Sequence, residues 1–449
     1  MDLQEICEKT LKKVEESGAD QAEVFVIKAR MINTYVETGK IQMITNNSWV
    51  GLGIKMVIDK RVGYIAGLIS SPNEIEELIK EGISITKISP RDEKFESLPE
   101  PKQISGVIEG VFDENILELG ADEFAGLAKR ITNNAERNDV KVMNGLIRAT
   151  VFEFNVENSL GIDFTHKGST IFVHFSAKKM LGEGIIKKYA TCIDRIDWDA
   201  AGQELMEKTL LSADAISFKG KETMEVIIEP MELEGMLSDI LMAASGENVN
   251  RNRSPWINKI GEKVASDSLT IVDNGRMPYG LRSALADDEG VPTTVKPIIE
   301  RGVLKNYYYD HYNAVIAGIE STGNGFRRGI RTLEDAHLGP SSCVPSNIEV
   351  ISGSKNLDQL IGEMDRGILI KKFAYPTVDF LSGNFGLEIR SAVLIENGEE
   401  KAPVKHALLV GNMYEALKNI TGIAKEQEII EYFKLPAIRF GNLQVVGIT

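Results

Sequence analysis

Histidine and cysteine are scarce in this chain, five and three among 449 residues. Cys7, Cys192 and Cys343 are far apart and odd in number, which argues against a disulfide scaffold and points to a reducing compartment. No stretch approaches the about 20 apolar residues that a membrane-spanning helix needs. The opening MDLQEICEKTLKKVEES has no apolar signal core, so a soluble, cytoplasmic protein without a membrane partner is expected. GxxxxGK[ST] and GxSxG are absent, and Gly51-Leu52-Gly53 lacks the third glycine and the helix of a dinucleotide fingerprint. Nucleotide enzymes and α/β-hydrolases are therefore unsupported. Positive charge is also short: 51 Lys and Arg against 66 Asp and Glu give a net charge of −15. Such a field repels phosphate backbones. The nearest basic run, Arg327-Arg328-Gly329-Ile330-Arg331, is too short to carry a binding face alone, so nucleic acid is not an expected partner.

What is present is ordinary globular material, 43% hydrophobic and 26% charged, enough to bury a core. At roughly 100–200 residues per domain, two or three domains are expected. Leu3, Ile6, Cys7, Leu11 and Val14 follow a helical period. Alternating residues then predict a hairpin turning at Glu37-Thr38-Gly39-Lys40, and two more strands turning at Ile58-Asp59-Lys60-Arg61. A helix over 73–82 closes this unit. FESLPEPKQISG reads as a surface connection. A second helix, within ENILELGADEFAGLAKRITNNA, precedes strands running to about residue 179, so helix plus meander occurs twice, compatible with a duplication. A boundary near Phe218-Lys219-Gly220-Lys221 divides an N-terminal helix-plus-meander domain, 1–219, from a mostly antiparallel β domain, 220–449. The fold class is α+β.

Candidates for chemistry are few. His166 and His174 share strand parity, but Lys167-Gly168-Ser169 reads as a turn between them, and strand histidines are most often packed or solvated. Cys343 has no neighbouring histidine. Asp287-Asp288-Glu289 could take a hard cation, although a solvated turn is the plainer reading. Leu233, Met236, Leu237, Ile240, Leu241 and Ala244 form a full apolar stripe, with Glu232, Glu234, Ser238 and Asp239 on other faces, which describes a buried structural helix ending at Ser245-Gly246.

In order, SGENVNR (245–251), DSLTIVDNG (267–275), DDEGVPT (287–293), IIERGVLKNYYYDHYNA (298–314), STGNG (321–325), FLSGNFGLEIRSAVLIENGEEKAPVKHALLVGN (380–412) and GNLQVVG (441–447) resemble the TldD/PmbA family. That family is described as modulators of DNA gyrase and as zinc metalloproteases. The resemblance spans essentially the whole chain, more loosely over the first 220 residues.

TldD-like members carry HExxxH on the helix before the xNxR segment and a late cysteine. In that arrangement two imidazoles and a thiolate hold zinc while the glutamate serves a zinc-bound water as general base. Counting back from Asn250-Arg251, Ser238 and Ala243 stand where the histidines would be, and Asp239 where the glutamate would be. Ile423 falls near the place of the late cysteine. The chain thus resembles the PmbA (TldE) branch, which implies no catalytic residue and no metal in this chain, with zinc in a TldD-like HExxxH partner. The resemblance further implies a heterodimeric protease acting on unfolded peptides, and a homodimer when the chain is alone. Candidate substrate contacts are Asn250, Arg251, Asp287, Asp288, Glu289, Gly323, Asn324 and Gly325. Two alternatives stay open at this level. One is a regulator of DNA gyrase or of toxin–antitoxin function acting by protein contact; the other is an autonomous peptidase with a relocated site.

Overall fold

A computed structural model describes residues 2–327 and 335–447; Arg328–Arg331 of the basic run lie outside them. α1 (Leu3–Glu16) begins where the Asp2 carboxylate accepts from Gln4 N–H, 3.2 Å. β1 (Gln21–Glu37), β2 (Lys40–Ile58) and β3 (Arg61–Leu68) then form the first meander. Its turns fall at Thr38-Gly39 and Asp59-Lys60, where backbone φ is positive as tight hairpins require. β2 runs unbroken through Asn46-Asn47-Ser48, where the polar residues predict a break between two strands. α2 (Pro72–Ile88) is longer than expected, with Pro72 in its first turn and a Ser71/Glu74 capping box. The connection after it is not purely surface, since Phe95 and Leu98 are buried against Val57.

The second expected helix is two, α3 (Asn115–Glu118) and α4 (Ala121–Ala135), separated at Gly120. β4 (Lys141–Asn158), β5 (Asp163–Lys179), β6 (Gly182–Ala190) and α5 (Trp198–Asp214) complete the unit. β5 passes straight through Lys167-Gly168-Ser169, so the expected turn is not there. His166 and His174 do share a face, but eight residues at about 3.3 Å each put them roughly 26 Å apart. The strands order as β3-β2-β1-β4-β5-β6, two meanders joined through antiparallel β1 and β4. α1 and α2 cover one half of one face through Val24, Val26, Leu52, Ile54 and Met56, and α4 and α5 the other half through Ile147, Val173 and Phe175. Alternate residues Phe25, Ile27, Phe152, Phe154 and Phe164 point to the opposite face, onto Ala286 and Ala336 of the second half.

After β7 (Ile216–Ser217), the second half begins with β8 (Lys221–Ile228) and α6 (Pro230–Leu241). α7 (Gly246–Asn250), β9 (Ile271–Asn274), β10 (Val295–Glu300), β11 (Val303–Leu304), α8 (His311–Ala317), β12 (Gly325–Phe326), β13 (Ser342–Cys343) and β14 (Ile348–Val350) follow. Next come α9 (Leu357–Gly362), β15 (Arg366–Phe373), β16 (Asn384–Glu396), β17 (Glu399–Lys405), β18 (Ala407–Asn412), α10 (Met413–Lys418), β19 (Ile420–Ile430) and β20 (Phe433–Gly447). Among the described residues the large sheet orders as β11-β10-β9-β14-β20-β8-β15-β16-β17-β7, with β18 bridging β16 and β20 and β19 beside β20. Those pairings close β8, β15, β16, β18 and β20 into a ring. α6 packs on β20, β19 and β15, and its stripe lies in the second half's main core. The architecture is α+β. No described helix is long and apolar enough to cross a membrane.

Candidate functional site

α6 starts where Pro230 fixes the first turn and Glu229 pairs with Lys371, 2.7 Å. Leu233, Met236, Leu237, Ile240 and Leu241 are fully buried. The expected polar faces are not all solvated: Glu232 is also buried, its carboxylate accepting from Phe373 N–H at 2.7 Å and facing Lys372 at 3.4 Å. Burial raises its pKa. The helix ends at Leu241 and tightens into a single 3₁₀ turn over Met242–Ala244 before Ser245-Gly246.

The four positions compared with a zinc site have other engagements. Ser238 Oγ lies 3.1 Å from Tyr432 Oη. Asp239 accepts from Val378 N–H at 2.7 Å, and burial raises its pKa. Ala243 is completely buried, and Ile423 is an apolar core residue of β19. Zinc does not fit this donor set. It offers no imidazole and no thiolate, and its one carboxylate is held by a backbone amide. Among the described residues no three His, Cys, Asp or Glu side chains group to hold a metal ion. Cys343 is buried, its thiol pushed up to about 12 by desolvation, an inert environment for a nucleophile.

The acidic trio is not a solvated turn. Asp287 is fully buried, and its carboxylate accepts from Glu289 N–H and Val291 N–H, both 3.0 Å, and from Gly325 N–H, 2.8 Å. Burial and then the neighbouring Glu289 carboxylate hold its pKa well above the usual range. Asp288 accepts from Arg327 N–H at 2.6 Å and is pushed up to about 6 by burial. Glu289, also buried, accepts from His311 N–H at 2.9 Å and from Ser341 Oγ–H at 2.6 Å. Asn324 donates to Asp273 at 2.7 Å and accepts from Thr322 Oγ1–H at 2.7 Å. Gly325 is required: a Cβ there would stand closer than 3.0 Å to the Glu289 carboxylate. At Gly323, φ 70°, a Cβ would stand 2.5 Å from Pro292 O.

The structure thus interlaces 287–289 with 323–325. Asn250 sits one step away, donating 2.8 Å to Asn313 O in α8, the helix that Asp310 caps. Arg251 turns outward and pairs with Glu247, 3.0 Å.

Asp273 and Arg282 carry strong interactions that no sequence pattern marks, and Arg327 of the basic run is a buried ion-pair partner rather than a surface cation. Asp273, fully buried, pairs with Lys296 at 2.8 Å and accepts from Ser346 and Asn324. Arg327 is buried with its guanidinium 2.6 Å from Glu23 and 2.7 Å from Tyr64 Oη, and it lies 4.2 Å over the Phe25 ring. Beside it, Arg282 lies 3.7 Å over the Tyr432 ring, its pKa lowered by burial. A cavity of about 60 Å³, room for about two waters, is lined by Arg282, Arg327, Phe25, Phe154 and His166. One signal was available: Glu23 shares strand parity with Phe25 and Ile27, a charge on an apolar face.

A model of the PmbA/TldA metallopeptidase C-terminal domain matches residues 221–447, and one of PmbA/TldA metallopeptidase domain 1 matches residues 22–86. The chain is 25% identical to a metalloprotease PmbA homologue of Buchnera aphidicola, over 98% of this chain and 96% of that one. A metalloprotease TldD homologue of Haemophilus influenzae is 35% identical over 41% of this chain and 37% of its own length. Among solved structures, TldE from Thermococcus kodakarensis superimposes with a TM-score of 0.88 at 28% identity, covering 98% of this chain and 99% of that one.

Proposed function

The chain belongs to the PmbA/TldA metallopeptidase family, and from that premise we propose that it is the metal-free, non-catalytic subunit of a heterodimeric zinc protease. A TldD-like partner carries HExxxH and the zinc, and the pair degrades unfolded peptides. The observation that carries this reading is α6. Its apolar stripe is intact, while Ser238, Asp239 and Ala243 provide neither imidazole nor a free carboxylate, and Ile423 provides no thiolate. The helix keeps its packing without the chemistry. Outward Arg251 and the rim of the 287–289 and 323–325 loops border the peptide path in this reading. The loops' polar groups are engaged internally, so they shape that path more than they grip a ligand.

The test is elemental analysis and peptide cleavage, on the chain alone and mixed with an HExxxH family member from the same genome. The expected result is no stoichiometric zinc and no cleavage alone, with chelator-sensitive cleavage appearing in the mixture. One zinc per isolated chain with cleavage would overturn the proposal. So would a stable complex with a topoisomerase and no peptidase activity in any mixture.

A further inference from the structure

Where the aromatic face of the six-stranded sheet meets the second half, several hydrogen-bond donors lack acceptors. Arg282 rests on the Tyr432 ring, and its Nη1 donates to Pro345 O at 3.0 Å. Among the described residues its Nε and Nη2 have no acceptor, and no carboxylate stands within ion-pair distance of it. Arg327 Nε is buried and likewise without an acceptor among those residues, although Glu23 answers its charge. His166 completes the set. Burial lowers its pKa to about 4, so the ring is neutral, and neither ring nitrogen has a hydrogen-bond partner among the described residues. All three side chains line the cavity of about 60 Å³ that Phe25 and Phe154 also wall. A guanidinium held out of water without an anion is costly. Its planar fork matches a carboxylate through two parallel hydrogen bonds.

We infer that this cavity binds a small carboxylate, its charge facing Arg282 and Arg327 and its carbon body against Phe25 and Phe154. His166 serves as a neutral hydrogen-bond partner. The unanswered groups are donors, so the ligand must bring acceptors, and phenyl walls favour an acid with a carbon body over hydrated phosphate. The volume admits a carboxylate with one or two further carbons. A free short-chain acid and the C-terminal carboxylate of a peptide share this chemistry. Asp288 opposes the ligand. It lines the same cavity, its carboxylate accepting from Arg327 N–H at 2.6 Å. Burial pushes its pKa up to about 6, against the pull of Arg327 and Arg282 and with a push from Glu289. A bound anion favours the protonated Asp288, so affinity falls as pH rises above about 6. His166 stays neutral throughout that range.

Isothermal titration of the full chain with sodium propionate, at constant ionic strength, is expected to show one saturable site. Propionamide, similar in shape but uncharged, is expected to show none. Arg282→Gln is expected to weaken propionate at least about tenfold. Asp288→Asn, which keeps an acceptor for Arg327 N–H, is expected to lose most of the pH dependence between about pH 5.5 and 7.5. A second readout needs no change at the arginine. With carbon-13 labelled histidine, the His166 signal, assigned by its loss in His166→Gln, is expected to shift with propionate and not with chloride. Displacement of propionate by acetyl-dialanine, but not by its C-terminal amide, would name a peptide terminus as the source; displacement by neither would name the free acid. Absence of saturable propionate binding to the wild type overturns the proposal, as does equal binding of propionamide. So does tighter binding of inorganic phosphate, or undiminished propionate binding by a folded Arg282→Gln.

Discussion

Asp310 concentrates a conflict in one side chain. It caps α8, accepting from Asn313 N–H at 2.9 Å, an interaction that favours the carboxylate. Burial and the nearby Glu289 carboxylate oppose it more strongly and push its pKa up to about 7. An unfolded Asp titrates near 3.9, so between about pH 4 and 7 the native state holds the extra proton. Stability therefore falls as pH rises through that window. Asp310→Asn keeps the cap and removes the proton. Its unfolding free energy, followed by urea titration from pH 4 to 7.5, is expected to lose up to about one proton's worth of slope relative to wild type. Identical slopes would refute this assignment. Asp288, pushed up to about 6, contributes to both proteins and cancels in the difference.

Among elements, the long strands show how local turns and tertiary packing divide the work. Gly51 and Gly53 of β2 form a shelf on which His337 and Tyr64 rest. A Cβ at Gly53 would stand 2.7 Å from His337 O and closer still to Tyr64 Oη. Gly53→Ala is expected to lower stability by about 1–3 kcal/mol, and Tyr64→Phe to recover part of that loss when combined with it; thermal melts of the three variants check this. The hairpins at Thr38-Gly39 and Asp59-Lys60 were legible because their turn residues act locally. So was α6, from its apolar stripe. The continuity of β2 through Asn46-Asn47-Ser48 and of β5 through Gly168 was not. Polar and glycine letters signal loops unless a neighbouring strand supplies the pairing, as β1 and β4 do here. The burial of Asp287, Glu289 and Glu232 was hidden for the same reason, since their partners are backbone amides up to 141 residues away in sequence.

Across the whole molecule, the six-stranded sheet meets the second half on a mostly aromatic face, and Glu23–Arg327 is a buried ion pair within it. Both side chains are almost fully buried, and the pairing is incomplete: among the described residues Glu23 Oε2 and Arg327 Nε have no partner. Desolvating two charges offsets much of their attraction, so the pair adds little net stability, while removing one partner strands the other. Arg327→Met is therefore expected to destabilise by about 3–5 kcal/mol. It leaves Glu23 uncompensated and uncovers the Phe25 ring. Glu23→Gln with Arg327→Met should be far milder than the sum of the single changes, a coupling of about 1–3 kcal/mol in a double-mutant cycle read by denaturant unfolding. Additive losses would mean that Arg327 acts through Phe25, Tyr64 and Gly339 rather than through Glu23. Non-additive losses would show that Arg327 acts through Glu23, as the 2.6 Å contact between them requires.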